Sequence, residues 1–508
     1  MALFKTRSAA IYGVDALVID VEVDVYLGSP KDYFTVGLPD TAVRESRERV
    51  KSSLVNSGFA FPVKSVTINL APANIRKEGA GFDLPMAIGI IGAMGSLPAN
   101  AMDDFLVAGE LGLDGALRPV RGVLPIAVCA KQQGVPNLIV PHENAHEAAV
   151  VDGLNVYGLK HLTDVVSLIE RPGSFQPVKS NGNGTVAADP MLTFDFRDVK
   201  GQETAKRALE ISAAGGHNIL MVGPPGSGKT MLAKRLPGIL PKMTFAEALE
   251  STKVHSVAGL LEEHGGLLQE RPFRSPHHSV SSAGLVGGGV GMPRPGEVSM
   301  AHNGVLFLDE LPEFPRNILE LLRQPLEDGS ITIARCNLCL TFPSSIMLVA
   351  AMNPCPCGYH GDSTRECRCT PPIIQRYVSK ISGPMLDRID IHVEVPSVKY
   401  KELRSQEAGE GSWEIRQRVE EARQRQVARG FPNARMPSKA IRKFCRLDDA
   451  GERTLETAVQ RMGLSARAHD RILKVSRTIA DLEGSEQLAV KHLAEAVQYR
   501  SLDRTYWT

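Results

Sequence analysis

Gly223-Pro224-Pro225-Gly226-Ser227-Gly228-Lys229-Thr230 is the stretch of this sequence whose residue types and spacing carry chemistry most plainly. Glycines let a backbone close around a polyphosphate with its N–H groups turned inward. A lysine in the seventh place reaches the β and γ phosphates, and the threonine after it offers a hydroxyl to Mg²⁺. About eighty residues on, the apolar run Val305-Leu306-Phe307-Leu308 ends in Asp309 and Glu310. One carboxylate there can hold the metal and the other can polarise an attacking water. A second apolar run, Ile346 to Ala351, ends at Met352 and Asn353, whose amide can hydrogen-bond that water or the γ-phosphate. The three sets together spell Mg²⁺-dependent hydrolysis of a nucleoside triphosphate. Immediately afterwards come Cys355, Cys357, Cys367 and Cys369, two close pairs nine residues apart. Four such thiols can close a tetrahedral Zn²⁺ site and fold a loop too small to hold itself together, with reduced, unligated cysteines as the alternative.

Several elements must position these groups. Asn218 to Val222 reads as a buried strand and Met231 to Leu236 as a helix, so the glycine-rich loop lies between strand and helix. Phe196 to Gln202 leads into a helix over Glu203 to Ala214. Arg271 to Met292 is glycine-rich and carries His277-His278. Adjacent histidines point apart on a helix or a strand, so this stretch is read as a mobile loop rather than a metal site. Ile331 to Ala334 and Leu338 to Phe342 alternate at period 2 around a turn at Arg335-Cys336-Asn337, which predicts a hairpin. Towards the end, Trp413 to Arg429 reads as a charged helix. Ser465 caps another, on which Ile472, Val475, Ile479 and Leu482 share a face and Arg467 lies in the first turn.

Before the loop, residues 1–172 read as an α+β domain. Strands are expected over Ala16 to Tyr26, Val66 to Leu70, Phe105 to Ala108 and Leu138 to Pro141, and helices over Thr41 to Ser57, Leu84 to Ala93 and Val123 to Gln133. Residues 173–190, rich in Gly, Pro, Ser and Asn, are expected to be a linker. The remaining boundaries are 191–396 for the nucleotide-binding core, with the cysteine insert at 353–371, and 397–508 for a helical region.

The 508 residues carry 58 basic and 57 acidic side chains, so no whole-molecule field advertises nucleic acid or membrane. Residues 401–508 hold 21 basic against 16 acidic groups, a bias that a solvated helix face explains as well as DNA does. Lys5 and Arg7 are followed by no apolar h-region, and the most apolar stretch, Leu84 to Leu97, is interrupted by glycines. A soluble cytoplasmic protein with no membrane partner is expected.

These motifs resemble those of AAA+ ATPases, which names ATP as the nucleotide. Asp198-Val199-Lys200-Gly201-Gln202 resembles the segment that lies over the adenine, Asn353 matches the sensor-1 position, and Arg467 is similarly placed to sensor 2. The resemblance implies that the stretch around His277-His278 is the helix-2 insert of the magnesium-chelatase clade and that the predicted hairpin is its pre-sensor-1 hairpin. Arg335 is then a candidate DNA phosphate contact. Arg388, in Leu386-Asp387-Arg388, is implied to be an arginine finger acting on the neighbouring subunit's γ-phosphate.

Glu110 to Gly115 and Arg118 to Pro125 resemble the ribosomal-S5-type domain of Lon proteases. That domain's serine–lysine dyad is missing. No serine occurs between Ser65 and Ser96, and no lysine between Lys77 and Lys131, so a non-proteolytic module is expected.

Nearly the whole chain resembles the YifB/ComM family of magnesium-chelatase-like AAA+ ATPases. That implies a multidomain α/β fold: an N-terminal Lon-like α+β domain, a P-loop core with a parallel sheet, and a C-terminal helical lid. It further implies a homo-oligomer, hexameric by resemblance, acting as a motor on single-stranded or branched DNA, with ATP its only small-molecule substrate. The absence of a D-x-S-x-S metal-adhesion motif and the presence of the first 170 or so residues argue against a chelatase motor subunit.

Overall fold

Alternating apolar and acidic residues make the second strand of the chain, and a strand of less regular pattern precedes it. The computed structural model describes residues 2–29, 32–178, 194–261, 266–289, 291–335, 338–362, 365–398, 409–462 and 465–502. β1 (Ala2–Tyr12) and β2 (Asp15–Tyr26) pair antiparallel along their whole length, from Ala2 opposite Val25 to Tyr12 opposite Asp15. The sequence reading assigned no element to β1, because no clean period marks it. β3 (Tyr33–Val36), α1 (Thr41–Asn56) and β4 (Ser65–Ala71) follow, giving a mixed sheet in the order β1-β2-β4-β3. α2 (Asp83–Ala93) is buried along its entire length, and contacts of its Gly89 and Gly92 with Val23 and Phe4 lay it against β1 and β2. A second, parallel sheet is built from β5 (Phe105–Val107), β6 (Asn137–Pro141) and β7 (Asn155–Leu159), with α3 (Val123–Gln132) in the crossover between β5 and β6.

Of the expected linker, the described part runs to Val178, which bridges to Val156 of β7. Residues 179–190 lie outside the described residues.

The core begins with α4 (Glu203–Gly215) and β8 (Ile219–Val222), and α5 (Lys229–Arg235) opens straight from the glycine-rich loop. α6 (Phe245–Ala258) carries a capping box in which Thr244 and Glu247 satisfy each other's backbone N–H groups. β9 (Phe273–Arg274), the short α7 (Ser282–Val286) and β10 (Val305–Leu308) lead to α8 (Arg323–Asp328). β11 (Ser330–Arg335) and β12 (Leu338–Pro343) form the predicted hairpin, with Thr332 opposite Thr341; Cys336 and Asn337 of its turn lie outside the described residues.

β13 (Met347–Met352) and β14 (Ile391–Glu394) complete a five-stranded, wholly parallel sheet in the order β9-β10-β13-β8-β14. Its central strands β10, β13 and β8 read as continuous apolar runs because both faces are covered. Ile219, Met221, Phe307 and Val349 face one core, and Leu220, Val222, Leu306 and Leu348 face the other.

The C-terminal region is helical. α9 (Ser412–Arg429) and α10 (Ala466–Leu482) pack onto the first of those cores through Ile415, Val419, Ile472, Val475 and Ile479. The architecture is thus mixed α/β with parallel sheets and a helical end. No described helix is long and apolar enough to cross a membrane.

The N-terminal domain touches the core at several points. The Gly122 N–H donates to Ser256 O at 3.1 Å, Lys253 pairs with Asp15 at 2.8 Å, and the Met292 N–H donates to Glu78 at 3.0 Å. The Ser256 hydroxyl also donates to the buried Glu147 carboxyl, which burial pushes above its ordinary range. At the β1–β2 turn, the Tyr12 hydroxyl reaches Cys339 O on the hairpin at 3.5 Å.

Candidate nucleotide-hydrolysis site

All the parallel strands of the core end their C-termini on one edge, which is where such sheets gather chemistry. β8 delivers the glycine-rich loop to that edge. Gly223 is required because a Cβ there would lie 2.1 Å from Val395 O, and Gly228 is required by its φ of +90° where the chain enters α5. Lys229 then turns back into the loop. Its Nζ donates to Gly223 O at 2.8 Å, Pro224 O at 2.9 Å and Asn353 Oδ1 at 3.2 Å. Every one of these acceptors is neutral, and Lys229 is only 8% exposed. Burial pushes its ammonium down to about 8, against the pull of Asp309 and Glu310. A buried cation resting on carbonyls is the complement of a polyanion.

β10 delivers the carboxylates. The Thr230 hydroxyl donates to Asp309 Oδ2 at 2.6 Å, so the two groups expected to share Mg²⁺ converge on one point. Asp309 Oδ1 accepts the Glu310 N–H at 2.9 Å. Glu310 adopts a left-handed φ of 52°. β13 delivers Asn353 to Lys229. Pro225, Gly226 and Ser227 line the same loop, and Ser227 Oγ lies 3.5 Å from Lys229 Nζ. Gln202, itself at a left-handed φ of 59°, donates to the carbonyls of Ser227 and Pro396, while its Oε1 is buried with no partner among the described residues. That orphan acceptor beside the phosphate loop fits a bound nucleotide.

The four cysteines are also spaced as a tetrahedral Zn²⁺ site would need. Their Sγ atoms lie within 4.8 Å of one another, with Cys355–Cys357 at 3.3 Å, Cys355–Cys367 at 3.7 Å and Cys357–Cys367 at 3.6 Å. Tetrahedral thiolates about 2.3 Å from Zn²⁺ stand about 3.8 Å apart. Backbone N–H groups of Tyr359 and Arg368 draw the Cys357 thiol down to about 6, toward the thiolate that ligates. His360 is exposed and outside this cluster. Gly358, between the pairs, packs so tightly on Pro225 that a Cβ would lie 2.4 Å from its Cδ. The cysteine loop therefore leans on the phosphate loop, a contact that no sequence spacing announces.

The arginines divide. Arg335 is exposed at the tip of β11. Arg388 is not at large: nine-tenths buried, it pairs with Glu327 of α8 and donates to Pro384 O. Acting on a neighbouring subunit would require that pair to open. Arg467 is exposed in the first turn of α10 and has no ion-pair partner among the described residues, whereas Arg471 is committed to Asp390 at 2.5 Å and Arg477 to Asp481 at 3.1 Å. Of the three arginines on that helix, Arg467 alone is left available to a ligand.

His277 and His278 differ from the expectation that they point apart. They lie in a turn, neither helix nor strand, and their rings meet at 4.0 Å. No third ligand joins them among the described residues, but His278 Nδ1 stands 3.6 Å from Glu310 Oε2.

In the N-terminal domain, Asp83 opens α2. It is fully buried and clasped by Arg49 through two bonds of 2.7 and 3.0 Å. Lys131 is exposed on α3. Lys77 is fully buried, donating to the carbonyls of Gly37 and Pro72.

Sheet order, phosphate loop and carboxylate placement define a P-loop nucleoside-triphosphatase fold. Comparison with known sequences narrows this. The family described as "Magnesium chelatase, subunit ChlI" matches residues 195–403, "Subunit ChlI of Mg-chelatase" matches 21–144, and "Magnesium chelatase, subunit ChlI C-terminal" matches 409–500. The chain is 46% identical to competence protein ComM of Haemophilus influenzae over 99% of its own length and 98% of the relative's. It is 45% identical to YifB of Escherichia coli over the same shares. The magnesium-chelatase 38 kDa subunit of Rhodobacter capsulatus is 25% identical over 59% of this chain and 84% of its own. The chain belongs to the ComM/YifB family of magnesium-chelatase-like proteins.

Proposed function

We propose that this protein is a Mg²⁺-dependent ATPase that works as a homo-oligomer, hexameric by family resemblance, and moves single-stranded or branched DNA. The observation that carries the ATPase is the convergence of Thr230 and Asp309 beside a buried Lys229 whose partners are all neutral. In this reading Thr230 and Asp309 hold Mg²⁺, which would draw charge off the phosphoryl oxygens. Lys229 leaves its carbonyls for the β and γ phosphates. Glu310 takes a proton from the attacking water, and Asn353 orients that water once the lysine has moved. Arg388 serves the neighbouring subunit after release from Glu327, and Arg467 reads the γ-phosphate from the lid. The four cysteines hold structural Zn²⁺, and the setting is cytoplasmic.

DNA as the substrate rests on the resemblance, on a relative named as a competence protein, and on the exposed Arg335 at the end of a two-stranded hairpin. The role that fits is branch migration during recombination of incoming DNA in natural transformation. The buried Asp83–Arg49 pair speaks against proteolysis, since neither group is a nucleophile with a free base. A displacement assay on forked and four-way DNA tests the motor. ATP-driven strand separation by the wild type, lost in Lys229→Ala, is expected. ATP hydrolysis without stimulation or displacement by any DNA, from a verified oligomer, would instead point to a motor for a non-DNA remodelling complex.

A further inference from the structure

The structure assigns Arg271, Arg423 and Arg435 to a second anion site, one that takes a phosphate group on the edge of the parallel sheet opposite the glycine-rich loop. Arg271 precedes β9, Arg423 lies on α9, and Arg435 ends the turn Asn433–Arg435 that follows it. Gly216, between α4 and β8, faces the Arg423 guanidinium, since a Cβ there would lie 3.7 Å from Nη2. β8 then runs away from that point to Val222 and the loop that carries Lys229. Asn303, whose carbonyl accepts from Arg271 at 2.7 Å, stands in the same way just before β10. The three arginines are therefore a strand's length from the nucleotide site.

Their bonding is unequal. Arg271 is fully engaged, donating to Pro241 O at 2.7 Å, to Lys242 O at 3.3 Å and to the two oxygens of Glu247 at 3.3 and 3.0 Å. Arg423 donates to Ala213 O at 3.1 Å, but its Nε is buried with no partner among the described residues, and no carboxylate among them pairs with it. Burial, with Arg271 and Arg435 beside it as like charges, pushes Arg423 down to about 10 against the pull of Glu247. That carboxylate is already held by Arg271. The Arg435 guanidinium rests against Gly329, where a Cβ would lie 3.4 Å from Nη1, and has no side-chain partner among the described residues. The next ionisable neighbours, His302 and Glu250, face each other at 3.2 Å, and burial pushes the histidine down.

Two guanidiniums thus share one place with no carboxylate left for either. A buried cation without a partner is costly, and an anion bound between the two relieves both the lost hydration and the mutual repulsion. Planar N–H forks match phosphate oxygens two at a time. A carboxylate offers two oxygens in one plane, whereas the tetrahedral oxygens of a phosphate can meet more than one fork. Arg435 is exposed, so the group can enter from solvent. Gly329, against which Arg435 rests, joins α8 to β11, placing the site at the foot of the hairpin whose tip carries Arg335. A backbone phosphate of a strand held by the hairpin and a free phosphate present the same chemistry; the first source alone rests on the DNA reading.

The test uses the full chain with a non-hydrolysable ATP analogue filling the glycine-rich loop, so that added anion reports on the second site. Thermal denaturation is followed against inorganic phosphate at constant ionic strength, and a fluorescent single-stranded oligonucleotide is titrated by anisotropy over a range of salt. Phosphate is expected to raise the wild-type midpoint. Arg423→Met is expected to lose that rise while melting close to the wild type without phosphate, because the cation it removes has no counter-ion there. Arg435→Ala, a change at an exposed side chain, is expected to weaken phosphate binding roughly tenfold. If the group belongs to a nucleic-acid backbone, Arg435→Ala also lowers the slope of log affinity against log salt by about one. An unchanged slope beside a lost phosphate response assigns the site to free phosphate. No phosphate response in the wild type together with an unchanged slope, or both responses intact in both variants, would overturn the proposal. A wild type that binds no DNA would count against the motor, and the phosphate titration would still decide the site.

Discussion

Two charged sites at helix starts, one in the N-terminal domain and one in the core, are built in opposite ways. Asp83 opens α2 fully buried and is matched, oxygen for nitrogen, by Arg49. Lys229 opens α5 almost as deeply buried, yet its partners are two carbonyls and an amide. A pair whose bonding is complete has nothing left to offer a substrate, and it stabilises the fold only while both members remain. A cation left on neutral acceptors keeps its charge for an anion that has yet to arrive. The difference separates a domain whose buried charge is spent on the fold from a core whose buried charge is left on neutral partners.

The sharpest way to break that contrast is to remove each charge. Lys229→Ala is expected to lower ATP hydrolysis by about a thousandfold while changing unfolding free energy by less than about 1 kcal/mol; turnover assays and denaturant titration measure the two. Asp83→Ala is expected to do the reverse. Leaving the Arg49 guanidinium without its partner should cost about 3 kcal/mol of stability, seen as an earlier denaturation midpoint, with ATP turnover per folded molecule unchanged. Equal losses of turnover in both variants would dissolve the distinction.

Protonation gives a finer test. Burial holds free Lys229 down to about 8, and bound phosphates favour its charged form, so above that pH nucleotide binding must take up a proton. Affinity for a non-hydrolysable ATP analogue should be insensitive to this group below pH 8 and fall about tenfold per pH unit above it. Calorimetry in buffers of different ionisation enthalpy would register the proton. A flat profile to pH 10 would mean that the lysine is charged throughout.

The smallest effect is expected at the cysteines. One zinc per chain should be found by elemental analysis and lost in Cys367→Ala. Because Gly358 leans on Pro225, its removal should weaken ATP binding roughly threefold without abolishing it.

The placement of the candidate site's residues was legible wherever residue type and local spacing sufficed. The glycine-rich loop, Asp309 with Glu310, and Asn353 each sit at the end of an apolar run, and a parallel strand buried on both faces produces that run. The hairpin and the period of α10 were legible for the same reason. What stayed hidden was contact between segments far apart in the chain: Glu327 on Arg388, Pro225 under Gly358, His278 beside Glu310. The loop around the histidine pair was legible, but the meeting of its two rings was not, because helix and strand geometry do not describe residues in a turn. β1 escaped notice because its pattern is irregular, although a two-residue connection to the strongly alternating β2 was the available signal.

The most direct test of the account is ATP turnover by Glu310→Gln beside the wild type at saturating Mg²⁺, with ATP binding measured on both. Affinity within about threefold of wild type and turnover at least about a hundredfold slower are predicted, because the carboxylate acts on water and not on the nucleotide. Wild-type turnover in the variant would contradict the assignment of this site.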